Sequence, residues 1–174
     1  MGADHNAGAR AYVLVTVCAL VIASCGSTPK LQSPSTCEGG HYCVGVDVTG
    51  QLSGRLATAP APGNFRAICT VLPKPHTAWV AHVYGTLQRG TWLLVVQTNQ
   101  YTGPASYSAN VTLGKLVSGT SKTTTSDNYI GQGTAKVGAG KTSADITADL
   151  NAQPGGKAIH LSGILSCDKF TTQD

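Results

Sequence analysis

The chain has 174 residues, of which only 11% are charged, and a net charge of +4. Its twelve Lys and Arg residues stand singly, with no basic stripe and no basic–aromatic alternation, which excludes a nucleic-acid groove as its organising feature. With so few charges, the surface must rest on Thr, Ser, Asn, Gln and Gly for its solubility.

The N-terminal stretch has one basic residue, Arg10, followed by an apolar run from Ala11 to Ile22 and the small pair Ala23-Ser24. That order predicts a secretory signal peptide over residues 1–24. The run is shorter than the ~20 apolar residues that a transmembrane helix needs. Cys25 follows directly, and Ile22-Ala23-Ser24-Cys25 resembles the lipobox of bacterial lipoproteins. The resemblance implies that the Cys25 thiol carries diacylglycerol, that the chain is cut before Cys25, and that the new amino terminus takes a fatty acyl group such as palmitate. The expected location is the extracytoplasmic face of the cell membrane, with the membrane as a partner through the anchor.

Residues 25–36 read as a flexible tether: after Cys25 comes GSTPKLQSPST, with two prolines and several hydroxyl side chains. Fully extended, the eleven residues after Cys25 reach roughly 36 Å. Residues 37–174 are then one domain, long enough to bury a core of its own.

From Val44 the pattern has period two. Val44, Val46 and Val48 alternate with Gly45, Asp47 and Thr49, and the strand is expected to continue through Gln51–Leu56. Phe65, Ala67, Cys69 and Val71 share a second alternation. Trp79–Leu87 and Thr91–Thr98 flank Gln88-Arg89-Gly90 as a hairpin. Tyr107–Leu113, Tyr129–Val137, Ser143–Leu150 and Ala158–Cys167 complete the set, and Ser118–Asn128 reads as a polar loop. No window outside the signal has a helical apolar period. About eight strands with turn clusters between them predict an all-β antiparallel sandwich or flattened barrel.

The chain has six cysteines. Cys18 leaves with the signal and Cys25 goes to lipid, so Cys37, Cys43, Cys69 and Cys167 remain for two disulfides in an oxidising compartment. A zinc site fails on spacing, since no C-x-x-C pair exists. Cys69 is in phase with Phe65 and Val71, and Cys167 with Leu161 and Leu165, so both point to a core and are expected to pair. Cys37 and Cys43 enclose Glu38-Gly39-Gly40-His41-Tyr42, whose glycines let a local clasp close.

Chemistry-bearing motifs are weak. Ala135–Thr142 fits a loose P-loop, but Ser143–Leu150 after it alternates like a strand, where phosphate binding needs a helix N-terminus. A hairpin turn is expected there, with Lys141 solvated and no nucleotide bound. No G-x-S-x-G elbow exists. His41, His76, His82 and His160 do not cluster, and Asp145, Thr147 and Asp149 share one outer strand face. No cofactor or metal is expected.

Tyr101-Thr102-Gly103-Pro104-Ala105-Ser106-Tyr107 and the closing Leu161-Ser162-Gly163-Ile164-Leu165-Ser166-Cys167 resemble a group of bacterial surface lipoproteins. These have a Y-x-G-P-G-x-Y-like turn and end on an S-G-x-x-x-C strand. Ala105 stands where glycine is usual. The terminal strand is also similar to the mycobacterial lipoprotein-antigen family. Both resemblances imply a surface-anchored all-β module and carry over no catalytic residue. The expected function is a non-catalytic binding or surface-interaction role toward an envelope ligand or protein. A carrier of an apolar ligand, suggested by Trp92-Leu93-Leu94-Val95-Val96, is the second expectation, and a small envelope hydrolase the third.

Overall fold

The computed structural model describes residues 42–62, 66–73, 77–118, 120 and 122–172. Among these residues there are ten strands and no helix. In chain order they are β1 (Cys43–Gly50), β2 (Gly54–Thr58), β3 (Ile68–Leu72), β4 (Ala78–Leu87) and β5 (Gly90–Thr98). Then come β6 (Ser106–Leu116), β7 (Thr123–Val137), β8 (Ser143–Gln153), β9 (Ala158–Ser166) and β10 (Lys169–Thr172).

Eight strands close into an antiparallel barrel. β4 to β9 form an up-and-down meander, each strand paired with the next. β9 pairs with β1, β1 with β2, and β2 with β4, which completes the circle. Closure removes the free strand edges that an open sheet would expose. β5 occupies one edge of β4, and β2 and β3 divide the other: β3 lies opposite Ala78–His82, and β2 opposite Gly85 and Thr86. β10 then pairs parallel with β3.

The alternation read from the sequence sets the inside and outside of the wall. On β8, Ala144, Ile146, Ala148 and Leu150 are buried, while Asp145, Thr147, Asp149 and Asn151 are exposed. On β9, Ile159, Leu161 and Leu165 turn inward. Fully enclosed Val46, Val48, Leu56, Val83, Leu94 and Leu113 fill the interior from the other strands. An eight-stranded barrel has just enough room for such side chains.

Two tryptophans occupy opposite ends. One end, here the entry end, holds the starts of β1, β4, β6 and β8. There Trp79 is fully buried and donates its indole N–H to the Lys141 carbonyl at 2.8 Å. At the far end Trp92 donates to the Leu87 carbonyl at 3.0 Å and packs on Tyr129, with ring centroids 6.3 Å apart. On β7 the inward line includes Gly131 and Gly133. A Cβ on Gly133 would lie 2.0 Å from the Thr147 carbonyl oxygen and 2.5 Å from the Ala148 Cα. The backbones of β7 and β8 approach that closely because neither glycine has a side chain.

Cys69 on β3 and Cys167, immediately after β9, are joined by a disulfide with Cα atoms 5.6 Å apart, both fully buried. The bridge ties the outer β3–β10 pair to the end of the meander.

Several expected boundaries differ. The strand expected to run from Val44 through Leu56 is two strands: Gly50 (φ 105°) and Gly54 (φ 135°) reverse the chain around Gln51–Ser53, and Val46 faces Leu56 across the hairpin. The polar loop expected over Ser118–Asn128 ends early, because β7 begins at Thr123. Its β-branched threonines extend the strand, with Thr123 opposite Leu116 after a register shift that follows Gly114. The third strand starts at Ile68, and Phe65 lies outside the described residues. Lys169–Thr172 adds a strand with no strong sequence signal.

Candidate functional site

Cys25, Ile22, Ala23, Ser24 and Cys37 lie outside the described residues, as do His41 and His76. β1 starts at the entry end, with Cys43 opposite Ser166 at the end of β9. Cys43 is disulfide-bonded, and its partner is neither Cys69 nor Cys167, which are bonded to each other.

His82, Asp145, Asp149 and His160 lie on the outer wall. His160 Nδ1 lies 2.7 Å from Asp149 Oδ1, two residues directly opposite each other on β9 and β8. Thr49 of β1 and Gln132 of β7 continue that row on either side. The pair sits on an exposed sheet face. His82 points outward from β4, and desolvation by its neighbours pushes its pKa below the ordinary histidine value. Among the described residues, no three His, Cys, Asp or Glu side chains come together as metal ligands would.

The loose P-loop is a turn between strands. Lys141 donates its N–H to the Gly138 carbonyl at 3.0 Å, and Gly138 donates to Ser143 at 2.9 Å. Lys141 is less solvated than its sequence context suggests. Its ammonium lies 5.5 Å from the Phe170 ring centroid, and its carbonyl receives the Trp79 indole. The residue serves packing at the entry end.

The Tyr101–Tyr107 segment is also a structural clasp. The Tyr107 hydroxyl donates to the Gly103 carbonyl at 2.6 Å and accepts from the Thr102 N–H at 3.2 Å. The hydrogen bond with the Thr102 side chain leads the effects that hold its pKa below the ordinary tyrosine value. Tyr101 packs against it at 5.4 Å between centroids and is buried, which pushes its own phenol up.

Grooves lie at both ends of the described barrel. The entry-end groove, about 350 Å³, is bounded by Thr77, Ala78 and residues 97–102. The far-end groove, about 440 Å³, lies between the β4–β5 turn, the β6–β7 connection and Pro62. It contains Arg89 and Lys115, which are 26 positions apart, and no sequence pattern singles them out. The lining of both grooves is mostly polar, with buried Leu116 in the far-end groove and buried Ala78 and Tyr101 in the entry-end one.

No protein-family model, curated protein or solved structure matches the chain.

Proposed function

We propose that this protein is a lipid-anchored extracytoplasmic lipoprotein whose barrel is a non-catalytic binding or surface-interaction module. The observation that carries the proposal is Ile22-Ala23-Ser24-Cys25 at the end of the apolar run, followed by a Pro- and Ser-containing tether. The resemblance of Tyr101–Tyr107 and of the Leu161–Cys167 strand to surface lipoproteins supports the same reading.

Binding is favoured over catalysis by the chemistry on the wall. The one described histidine–carboxylate contact, His160–Asp149, stands on an open face with no serine or cysteine nucleophile bonded to it. Surface interaction is favoured over transport of an apolar ligand because leucine, isoleucine and tryptophan side chains fill the barrel.

The test is Cys25→Ser in the native membrane, read by detergent phase separation and mass spectrometry of the N-terminal peptide. The parent should partition with detergent and carry acyl mass on Cys25. The variant should enter the aqueous phase, since each buried CH₂ of an acyl chain contributes ~0.8 kcal/mol to membrane binding. Retention of the variant in the detergent phase overturns the anchor.

A further inference from the structure

The far-end groove carries an unusual turn. β4 and β5 are joined by two residues, Gln88 and Arg89, between the paired Leu87 and Gly90. Both have positive φ, 46° and 60°. Two-residue hairpins of this kind favour Asn-Gly, because long side chains disfavour that backbone region. Gln88 has a structural use, since its side-chain amide donates to the Ser53 carbonyl at 2.7 Å. Arg89 makes no hydrogen bond or ion pair among the described residues. An arginine therefore stands unpartnered at a position where the backbone prefers a short residue.

Its surroundings are those of a receptor for negative charge. Lys115 crosses the floor of the same groove, its Cε only 3.0 Å from where a Cβ on Gly90 would sit. Its ammonium is 3.7 Å from Asp127, and both side chains are about 40% exposed, so that pair is loose. Among the described residues, no carboxylate lines the groove itself. Thr91 and Ser118 add hydroxyls, and Val117, 44% exposed, adds an apolar wall with Pro62. The volume of about 440 Å³ is that of a small-molecule site.

We infer that the far-end groove binds a monosaccharide-sized, hydroxylated ligand carrying a carboxylate or phosphate, with Arg89 forking onto the oxyanion and Lys115 as the second cation. A planar guanidinium suits either oxyanion through paired N–H donors. The groove lies at the opposite end of the barrel from the start of β1. Its outward presentation rests on the lipid-anchor proposal, but its ligand chemistry does not.

The test is saturation-transfer NMR on the detergent-solubilised full chain, with glucuronate, glucose 6-phosphate and glucose as probes. Glucuronate, glucose 6-phosphate or both should bind, more weakly as salt is raised, and glucose should not. Whichever anion binds identifies the oxyanion. Arg89→Asn should weaken that binding by about tenfold or more. The variant should melt at or above the parent, because asparagine tolerates positive φ. Lys115→Met should weaken binding less, by roughly threefold, since Lys115 is shared with Asp127. Three results would each overturn the inference: no probe binds, glucose binds as well as the anions, or Arg89→Asn binds like the parent. None of them bears on the Cys25 anchor, which detergent partition reads separately.

Discussion

The Tyr42 hydroxyl is clamped by the backbone of Tyr84: it accepts from the Tyr84 N–H at 2.6 Å and donates to the Tyr84 carbonyl. Tyr84 lies at the break on the edge of β4, between His82, the last residue paired with β3, and Gly85, the first paired with β2. A side chain from the residue before β1 thus bridges a gap that no described strand covers. Ala59 also donates to the Tyr84 carbonyl, at 3.2 Å, but the N–H has only the phenol.

Tyr42→Phe therefore orphans a backbone donor, at a cost of about 1–3 kcal/mol. Urea denaturation at neutral pH should show a lower midpoint with an unchanged slope.

The same residue predicts an alkaline effect. Burial leads the causes that push the Tyr42 phenol above the ordinary tyrosine value, and the Asp168 carboxylate adds to it. The folded state therefore favours the neutral phenol. Its contribution is complete below about pH 10, the unfolded value, and is lost as pH rises toward the higher folded value. Burial raises Tyr84, Tyr101 and Tyr129 in the same direction. The parent should lose stability above about pH 10, and Tyr42→Phe should lose it less steeply. Urea midpoints across that range check the sign.

The Cys69–Cys167 bridge spans 98 residues. A loop of that length removes about 4.7 kcal/mol of unfolded-chain entropy in the chain model. Cys69→Ala/Cys167→Ala should lower the melting temperature by ten degrees or more, at ~4 °C per kcal/mol. Cys43→Ala should cost far less if its bridge closes the short loop to Cys37 expected from the sequence. Non-reducing peptide mapping checks the pairings, and a Cys43–Cys167 peptide would refute them.

Gly133→Ala tests the close approach of β7 and β8. The added Cβ meets backbone rather than a flexible side chain, so the strands must part. The expected cost is about 2–4 kcal/mol, at the upper end for overpacking. Gly140→Ala, in the neighbouring turn, is the control: its Cβ would come no closer than 3.4 Å, to the Thr142 hydroxyl. Paired denaturation curves should separate the two clearly.

Trp79→Phe should cost about 2–3 kcal/mol, combining lost buried volume with an unpaired Lys141 carbonyl. Lys141→Ala leaves that carbonyl in place and removes the contact with Phe170, so it should cost about 0.5–1 kcal/mol. Thermal melts of both variants rank the two contributions.

The sequence disclosed the period-two strands and the phase of Cys69 and Cys167, because inward and outward side chains differ in polarity along β8 and β9. It concealed the β1–β2 turn, since Leu52 keeps the alternation through Gln51–Ser53 and is itself buried. It concealed the start of β7, where a run of threonines reads equally as loop or strand. The far-end groove was not legible at all. Arg89 and Lys115 meet only through the pairing of β4, β5 and β6, and positive φ at Gln88 and Arg89 leaves no compositional trace.

Pairing of β1 with β9 also sets when the fold can be completed. A chain that emerges N-terminus first, from a ribosome or from a translocation channel, presents β1 while its partner is still more than 100 residues behind. β1 and β2 can form a hairpin, and the meander can grow strand by strand, but the circle stays open until residues 159–166 arrive. Cys167 follows at once, so the long disulfide cannot form before the last barrel strand has arrived. Truncation just before β9 would therefore leave β1 and β8 each with an unpaired edge, an invitation to pair with another copy rather than a slightly shorter barrel.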